Sequence, residues 1–336
     1  MQFPQIEEIL ANAHVVTVPL RVRFRGVTSR EAVLLRGPAG WGEFAPFAEY
    51  ADTEAARWLA AALEAAWVGH PAPVRDRVPV NATVPAVGPN QVAEVLRRYD
   101  GCDTVKIKVA ETGQGLDDDL ARVAAVRDLA PGAHLRVDAN GAWDVSQARE
   151  ALTALAPYDL EYAEQPCRTV PELARLRVEL ARHGVDVPIA ADESIRRADD
   201  PLEVARREAA DVIVVKVAPL GGVRAALRIV ADVGLPAVVS SALDTSVGIA
   251  AGVALAAALP RLDHACGLGT VELLADDVAA APLVPRAGDL PAPAHPVVAA
   301  ERLARLAVAP ERAAWWRDRL RRCHALVHRQ ARSGCS

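Results

Sequence analysis

From residue 79 onward, short apolar runs rich in β-branched residues alternate with longer segments whose apolar positions recur at helical spacing, the pattern of a parallel sheet assembled from βαβ units. Strands are expected at residues 80–84, 105–109, 135–138, 162–164, 189–192, 212–217 and 237–240, with a weaker one at 265–268. The intervening helices carry their own end signals. Asp117-Asp118-Asp119 places acidic charge in a first turn, Thr169 stands as N-cap before Val170-Pro171-Glu172, and Gly184 and Gly234 close helices. Eight such strands predict a TIM-like barrel, compact beside the roughly 250 residues usual for that fold. A doubly wound open sheet is the alternative, but no Gly-x-Gly-x-x-Gly follows the first strand.

The pattern upstream is different. Residues 13–47 alternate apolar stretches with turn residues, as an antiparallel meander does. Asp52-Thr53-Glu54 then opens an apolar-periodic helix reaching Trp67, with Asp52 or Thr53 as its N-cap. These shifts divide the chain into a small α+β domain at residues 1–76, the barrel at 77–284, and a C-terminal helical segment at 285–336 that is expected to pack on the first domain. The last helix is basic, with Trp315, Trp316, Arg317, Arg319, Arg321 and Arg322; it is expected to pack its tryptophans on a neighbour and solvate its arginines. A nucleic-acid arm and a metal shared by His324 and His328 are the sharper alternatives for this helix, the second lacking an obvious third ligand.

Composition narrows the class of partner. Of 336 residues, 51% are hydrophobic and 24% charged, ample for a large core. A net charge of -5 offers no footprint for nucleic acid or an anionic membrane, so a small-molecule substrate is expected. The first residues lack a signal-peptide pattern and no long apolar run occurs, which predicts a cytoplasmic protein without membrane association. Five cysteines, Cys102, Cys167, Cys266, Cys323 and Cys335, share no metal or disulfide spacing. Oligomeric state is left open between monomer and homo-oligomer.

The chemistry is concentrated at the ends of the predicted strands. Thr104-Val105-Lys106-Ile107-Lys108-Val109 reads as a buried strand with two lysines on one face. Burying ammonium groups is costly, but burial lowers a lysine's pKa until its amine can accept a proton near neutral pH. A wet lysine face is the bland alternative. At nearly regular intervals after Lys108 come Asp138, Glu164 and Asp192, each ending a strand, and then Lys216 and Ser240. Any one of the carboxylates could be a helix N-cap. Three in register would repel unless a cation lay between them, and an all-oxygen donor set suits Mg²⁺, with Mn²⁺ as the alternative. Such a cation would hold a substrate carboxylate while a lysine took the proton from the adjacent carbon. Lys108 and Lys216 flank the carboxylates in strand order, a geometry that permits racemisation or elimination.

In Lys106-Ile107-Lys108, Asp138-Ala139-Asn140, Glu164-Gln165-Pro166, Asp192-Glu193-Ser194 and Lys216-Val217-Ala218-Pro219-Leu220-Gly221-Gly222, the chain resembles the enolase superfamily and, within it, the muconate lactonising enzyme subgroup. The resemblance covers residues 10–290. It implies a modified TIM-like (β/α)7β barrel with an N-terminal α+β capping domain, and a lysine base working beside a bound cation. Phe24-Arg25-Gly26, Gly40-Trp41-Gly42-Glu43, Asn81-Ala82-Thr83-Val84-Pro85, Ser240-Ser241 and Cys266-Gly267-Leu268-Gly269-Thr270 are similar to the subgroup's dehydratases, which act on 2-succinyl-6-hydroxy-2,4-cyclohexadiene-1-carboxylate. That similarity implies Lys108 as the base, with Lys106 beside it, Lys216 as the cation stabilising the enediolate, and Asp138, Glu164 and Asp192 as Mg²⁺ ligands. It also implies Arg25, Ser240, Ser241 and Gly267 at the substrate, with Asn140 and Glu193 orienting the ligands and lysines. An N-succinylamino acid racemase or related epimerase needs the same lysines and carboxylates and is the competing expectation. The last strand has Gly267-Leu268-Gly269 where a dipeptide epimerase would carry Asp-x-Asp.

Overall fold

In the computed structural model, which describes residues 4–196 and 200–333, the chain forms a capped parallel barrel. Cys335 lies outside the described residues. The cap begins with α1 (Ile6–Ala11) and an antiparallel sheet of β1 (Ala13–Phe24), β2 (Val27–Gly37) and β3 (Gly40–Phe44), followed by α2 (Asp52–Leu63). Ala51, not Asp52 or Thr53, is the N-cap of α2 and makes no side-chain cap bond. The Asp52 carboxylate is drawn instead to Arg322, 2.6 Å away, because an opposite charge from the C-terminal helix competes with the backbone for it.

After β4 (Arg77–Pro79) come β5 (Ala82–Val84), α3 (Val92–Leu96), β6 (Thr104–Lys108), α4 (Leu116–Leu129), β7 (His134–Asp138), α5 (Val145–Leu155), β8 (Leu160–Glu164) and α6 (Val170–Arg182). The series continues through β9 (Ile189–Ala191), α7 (Glu193–Arg196), α8 (Glu203–Arg206), β10 (Val212–Lys216), α9 (Val223–Val233), β11 (Ala237–Ser240) and α10 (Ser246–Ala258). Strands β5 to β11 pair in parallel in chain order. Residues of the weak last strand close the circle by single parallel bridges, Ser240 to Gly267 on one side and Cys266 to Val80 on the other. The strands are buried on both faces, so they read as nearly unbroken apolar runs in which a polar residue stands out. Thr169 and Glu172 form a capping box at α6, and Gly234 closes α9 in the left-handed conformation.

The chain ends with β12 (Asp289–Pro291), which pairs with β4, then α11 (Ala300–Arg305) and α12 (Pro310–Ser333). Trp316, Leu320, Cys323 and Val327 of α12 are buried in one cluster with Val33, Phe44 and Leu59 of the cap. Of the arginines of α12, Arg321 and Arg322 are exposed as expected, whereas Arg319 and Arg312 are drawn to the cap. Arg319 is buried and donates to Phe47 O at 3.1 Å, and Arg312 pairs with Glu31 at 2.5 Å, so these side chains satisfy groups of the cap. His324 Nε2 lies 2.9 Å from both Pro4 O and His328 Nε2, a helix-end packing contact without a third ligand among the described residues. No helix among the described residues is long and apolar enough to cross a membrane.

Candidate active site

The C-terminal strand ends and the cap loops enclose a cavity of about 270 Å³, into which Lys106, Lys108, Asp138, Asn140, Glu193, Lys216, Ser240, Ser241, Gly267 and Arg25 project. Glu164 and Asp192 are fully buried behind this lining. Strand register explains the gathering. Lys108 pairs with Asp138 and Asp138 with Glu164 across β6, β7 and β8, while Lys216 pairs with Ser240 and Ser240 with Gly267 on the far side. Residues in one register row point to one face, so each row presents its polar groups at the same height in the barrel.

Asp138, Glu164 and Asp192 each meet a lysine. Lys106 Nζ lies 3.0 Å from Glu164 Oε2 and 3.6 Å from Asp138 Oδ2. Lys108 Nζ is 2.5 Å from Asp138 Oδ2 and 2.9 Å from Asn140 Oδ1. On the other side Lys216 Nζ is 2.5 Å from Asp192 Oδ2, whose other oxygen accepts from Arg196 Nε at 3.0 Å.

Electrostatics separate the two lysines of β6. Burial lowers the Lys108 pKa, helped by the charges of Lys106 and Arg25 and opposed by Asp138, so this amine is the one shifted toward a proton acceptor. Burial also works against the charge on Lys106, but Glu164 and Asp138 outweigh it and hold Lys106 above the ordinary lysine value. Asp138 stays well below the usual carboxylate range because Lys108 and Lys106 overcome its burial. Burial and the Asp138 charge push Glu164 up to about 7.

Three carboxylates on neighbouring strand ends form an all-oxygen donor set of the kind a hard divalent cation accommodates. The arrangement differs from the sequence expectation in one respect. Among the described residues, no three His, Cys, Asp or Glu side chains converge closely enough to hold an ion, because each carboxylate is turned to its own lysine. The chemistry of the donors fits a cation; holding one would require Asp138, Glu164 and Asp192 to exchange lysine contacts for it.

Other expected residues occupy less direct positions. Ser240 Oγ and Ser241 Oγ face Gly267 O at 3.5 and 3.1 Å, and Ser241 Oγ also meets Thr270 Oγ1 at 2.7 Å, which ties the two register rows' far end together. Asn140 Nδ2 donates to Glu193 Oε1 at 3.2 Å. Arg25, expected at the substrate, lines the cavity, and its guanidinium donates to Asn140 Oδ1, Ala110 O, Glu111 Oε2, Val109 O and Asp138 O, which uses all five N–H groups. Phe24, Thr83 and Thr270, named in the sequence only within motifs, line the cavity, as do Tyr50 and Arg196, which the sequence did not single out. Arg196 lies four residues after Asp192, the helical spacing for an ion pair, and that spacing was a usable signal. For Tyr50, which reaches Arg196 Nη1 at 3.3 Å from the cap, there was none.

Comparison with known proteins adds to the geometry. The family model described as enolase C-terminal domain-like matches residues 90–296, and that described as enolase N-terminal domain-like matches residues 15–66. The chain is 59% identical over 326 residues to an o-succinylbenzoate synthase of Mycolicibacterium smegmatis, covering 96% of this chain and 98% of the relative. An o-succinylbenzoate synthase of Mycobacterium tuberculosis is 56% identical over 325 residues, covering 96% and 97%. Among solved structures, muconate lactonizing enzyme from Pseudomonas fluorescens, complexed with muconolactone, superposes with a TM-score of 0.75 over 88% of this chain and 98% of that one, at 24% identity, a likeness of fold.

Proposed function

The chain belongs to the enolase superfamily, and from that premise we infer that it acts as an o-succinylbenzoate synthase, a hydro-lyase that dehydrates 2-succinyl-6-hydroxy-2,4-cyclohexadiene-1-carboxylate to 2-succinylbenzoate. The observation that carries the reading is the row Lys108–Asp138–Glu164 facing Lys216 across one cavity, in a chain that matches such enzymes along nearly its whole length. We place the reaction in menaquinone biosynthesis, in the cytoplasm.

Lys108, buried and shifted toward its neutral form, takes the proton from the ring carbon that bears the carboxylate. The electron pair left behind moves into the carboxylate and then expels the hydroxyl from the neighbouring carbon. The proton on Lys108 returns to that hydroxyl, so water leaves and the ring becomes aromatic. Lys216, on the opposite side of the cavity, places positive charge near the intermediate. Asp138, Glu164 and Asp192 would hold a divalent cation, Mg²⁺ with Mn²⁺ as the alternative, whose charge when bound opposes the negative charge building on the substrate carboxylate. Phe24, Phe47 and Tyr50 of the cap line the mouth, where they would shield this exchange from water when substrate is bound.

The test is the ultraviolet change when Mg²⁺-loaded protein meets the cyclohexadiene substrate, with and without chelator, beside a polarimetric assay on N-succinyl amino acids. Rapid, chelator-sensitive aromatisation is expected. Brisk racemisation without aromatisation would make the protein an isomerase that uses Lys108 and Lys216 as its two opposed acid–base groups.

A further inference from the structure

Three non-glycine residues held at positive φ meet at one point on the barrel mouth: Arg25 at 49°, Ala110 at 57° and Asn140 at 48°. Side chains rarely adopt this conformation, and it persists where surrounding contacts over-determine it. The group that joins all three is the Arg25 guanidinium, at the tip of the β1–β2 hairpin. Its Nε donates to Asn140 Oδ1 at 2.8 Å, Nη1 to Ala110 O at 3.3 Å and Glu111 Oε2 at 3.2 Å, and Nη2 to Val109 O at 2.8 Å and Asp138 O at 3.0 Å. Every N–H of this arginine is engaged by an oxygen of the protein itself.

The same Asn140 Oδ1 accepts from Lys108 Nζ at 2.9 Å, so one amide oxygen is shared between the hairpin cation and the base. The other end of the amide is fixed by its bond to Glu193 Oε1. The hairpin also sets the Phe24 ring 5.0 Å from Lys108 Nζ. A lysine has four side-chain torsions, and its amine is placed only as well as its partners are. Here one partner is an asparagine whose side-chain amide oxygen is also held by the arginine.

We propose that Arg25 is a positioning residue for proton transfer: by pinning Asn140, it fixes Lys108 Nζ at the carbon it deprotonates, without itself touching substrate. The proposal rests on the dehydratase reading. Three roles then make different demands on kinetics. A substrate contact would appear mainly in KM, and a lid that only slows release would leave proton transfer untouched. A positioning residue changes kcat through the proton-transfer step.

The test compares wild type with Arg25→Met, Asn140→Ala and the double variant, using the cyclohexadiene substrate with hydrogen or deuterium on the carbon that loses its proton. Arg25→Met is expected to lower kcat by roughly 10- to 100-fold, the scale of a misplaced catalytic group. KM should stay within about twofold, and the deuterium effect on kcat should be at least as large as in wild type. The double variant should be little worse than either single one, because both remove the same link. Arg25→Lys keeps the charge but not the five-donor fork, so it should recover only part of the loss; if Arg25→Met fails to fold, Arg25→Lys carries the same comparison. A rise in KM with unchanged kcat, a diminished deuterium effect, or additive losses would overturn the proposal. Wild-type protein that does not aromatise the substrate at all would overturn the dehydratase reading itself.

Discussion

The Glu43 carboxylate accepts hydrogen bonds from Thr245 N at 3.2 Å and Thr245 Oγ1 at 2.5 Å, so a residue of the cap completes the N-terminus of barrel helix α10. Gly248 N, in the helix's first turn, adds a third at 3.0 Å. Asp244 lies half-buried alongside: a methyl group on Gly248 would lie 3.1 Å from Asp244 Cγ and 3.1 Å from Glu43 Cδ. Arg30, from the same cap sheet, donates to Ala242 O at 3.2 Å. Cap and barrel are therefore joined at the loop that carries Ser240 and Ser241 into the cavity.

This junction makes stability depend on pH. Burial, reinforced by the Asp244 charge, pushes Glu43 up to about 8 from its ordinary 4.5. The folded protein thus holds a proton that the unfolded chain has released over that interval. Its contribution is complete below about 4.5 and is lost as pH rises through about 8. Melting temperature should fall between pH 6 and 9 in wild type, by an amount that Glu43→Gln reduces, because glutamine keeps the shape and does not titrate. Equal pH slopes in the two proteins would remove Glu43 as the cause.

Replacing Lys108 by Ala should lower turnover by at least about 10³-fold, within the range for loss of a positioned general base. The structure adds an expectation about the cation. Lys108 is the nearest partner of Asp138, so its removal frees an oxygen of the proposed cation site, and calorimetric titration should show divalent cation binding no weaker than in wild type. Weaker binding in Lys108→Ala would mean the lysine supports the cation site instead of competing with it.

The strand ends were legible because strand periodicity is local: Lys108, Asp138, Glu164, Asp192, Lys216 and Ser240 each interrupt an apolar run at the position where the run must stop. The contacts that assemble those residues into a working site were not. Arg25 bonds to groups at residues 109–111, 138 and 140, and Arg319 to carbonyls of the cap, and nothing near either arginine specifies the distant oxygens that satisfy it. Asp52 shows the same limit from the other side. Its local context is that of a helix cap, and a distant guanidinium outbids the backbone.

Gly267 is required by space at the far register row. A Cβ there would lie 2.5 Å from Ser240 Oγ and 3.2 Å from Ser240 Cβ. The hydroxyl can rotate away, so Gly267→Ala should fold, at a cost of about 1 kcal/mol. The expected signature is a displaced Ser240 and a KM raised by roughly 10-fold with kcat less affected, as for a lost binding contact. Unchanged KM would take Ser240 out of the substrate's surroundings.

Barrel interiors are usually filled by branched aliphatic side chains, yet the centre of β7 carries Arg136, which is wholly buried two residues before Asp138 on the same face. It donates to Glu161 Oε2 at 2.5 Å, Asn81 Oδ1 at 3.2 Å and Ala265 O at 2.7 Å, and its guanidinium lies 4.7 Å from the Tyr162 ring centre. Glu161 in turn takes His264 Nδ1 at 2.6 Å, and His264 and Arg136 together overcome its burial to hold it at about 2. One arginine thus ties β7, β8, the residue preceding β5 and the closing segment together beneath the Lys108–Asp138–Glu164 row. Arg136→Met keeps most of the volume but strands the acceptors, and should lower unfolding free energy by about 3 kcal/mol, as when one partner of a buried pair is removed. Urea titration should show a lower midpoint at unchanged slope. Adding Glu161→Gln should restore part of the loss, since removing both charges costs less than removing one. If the midpoint of Arg136→Met matches wild type, the guanidinium contributes only volume, and closure of the barrel rests on its apolar layers.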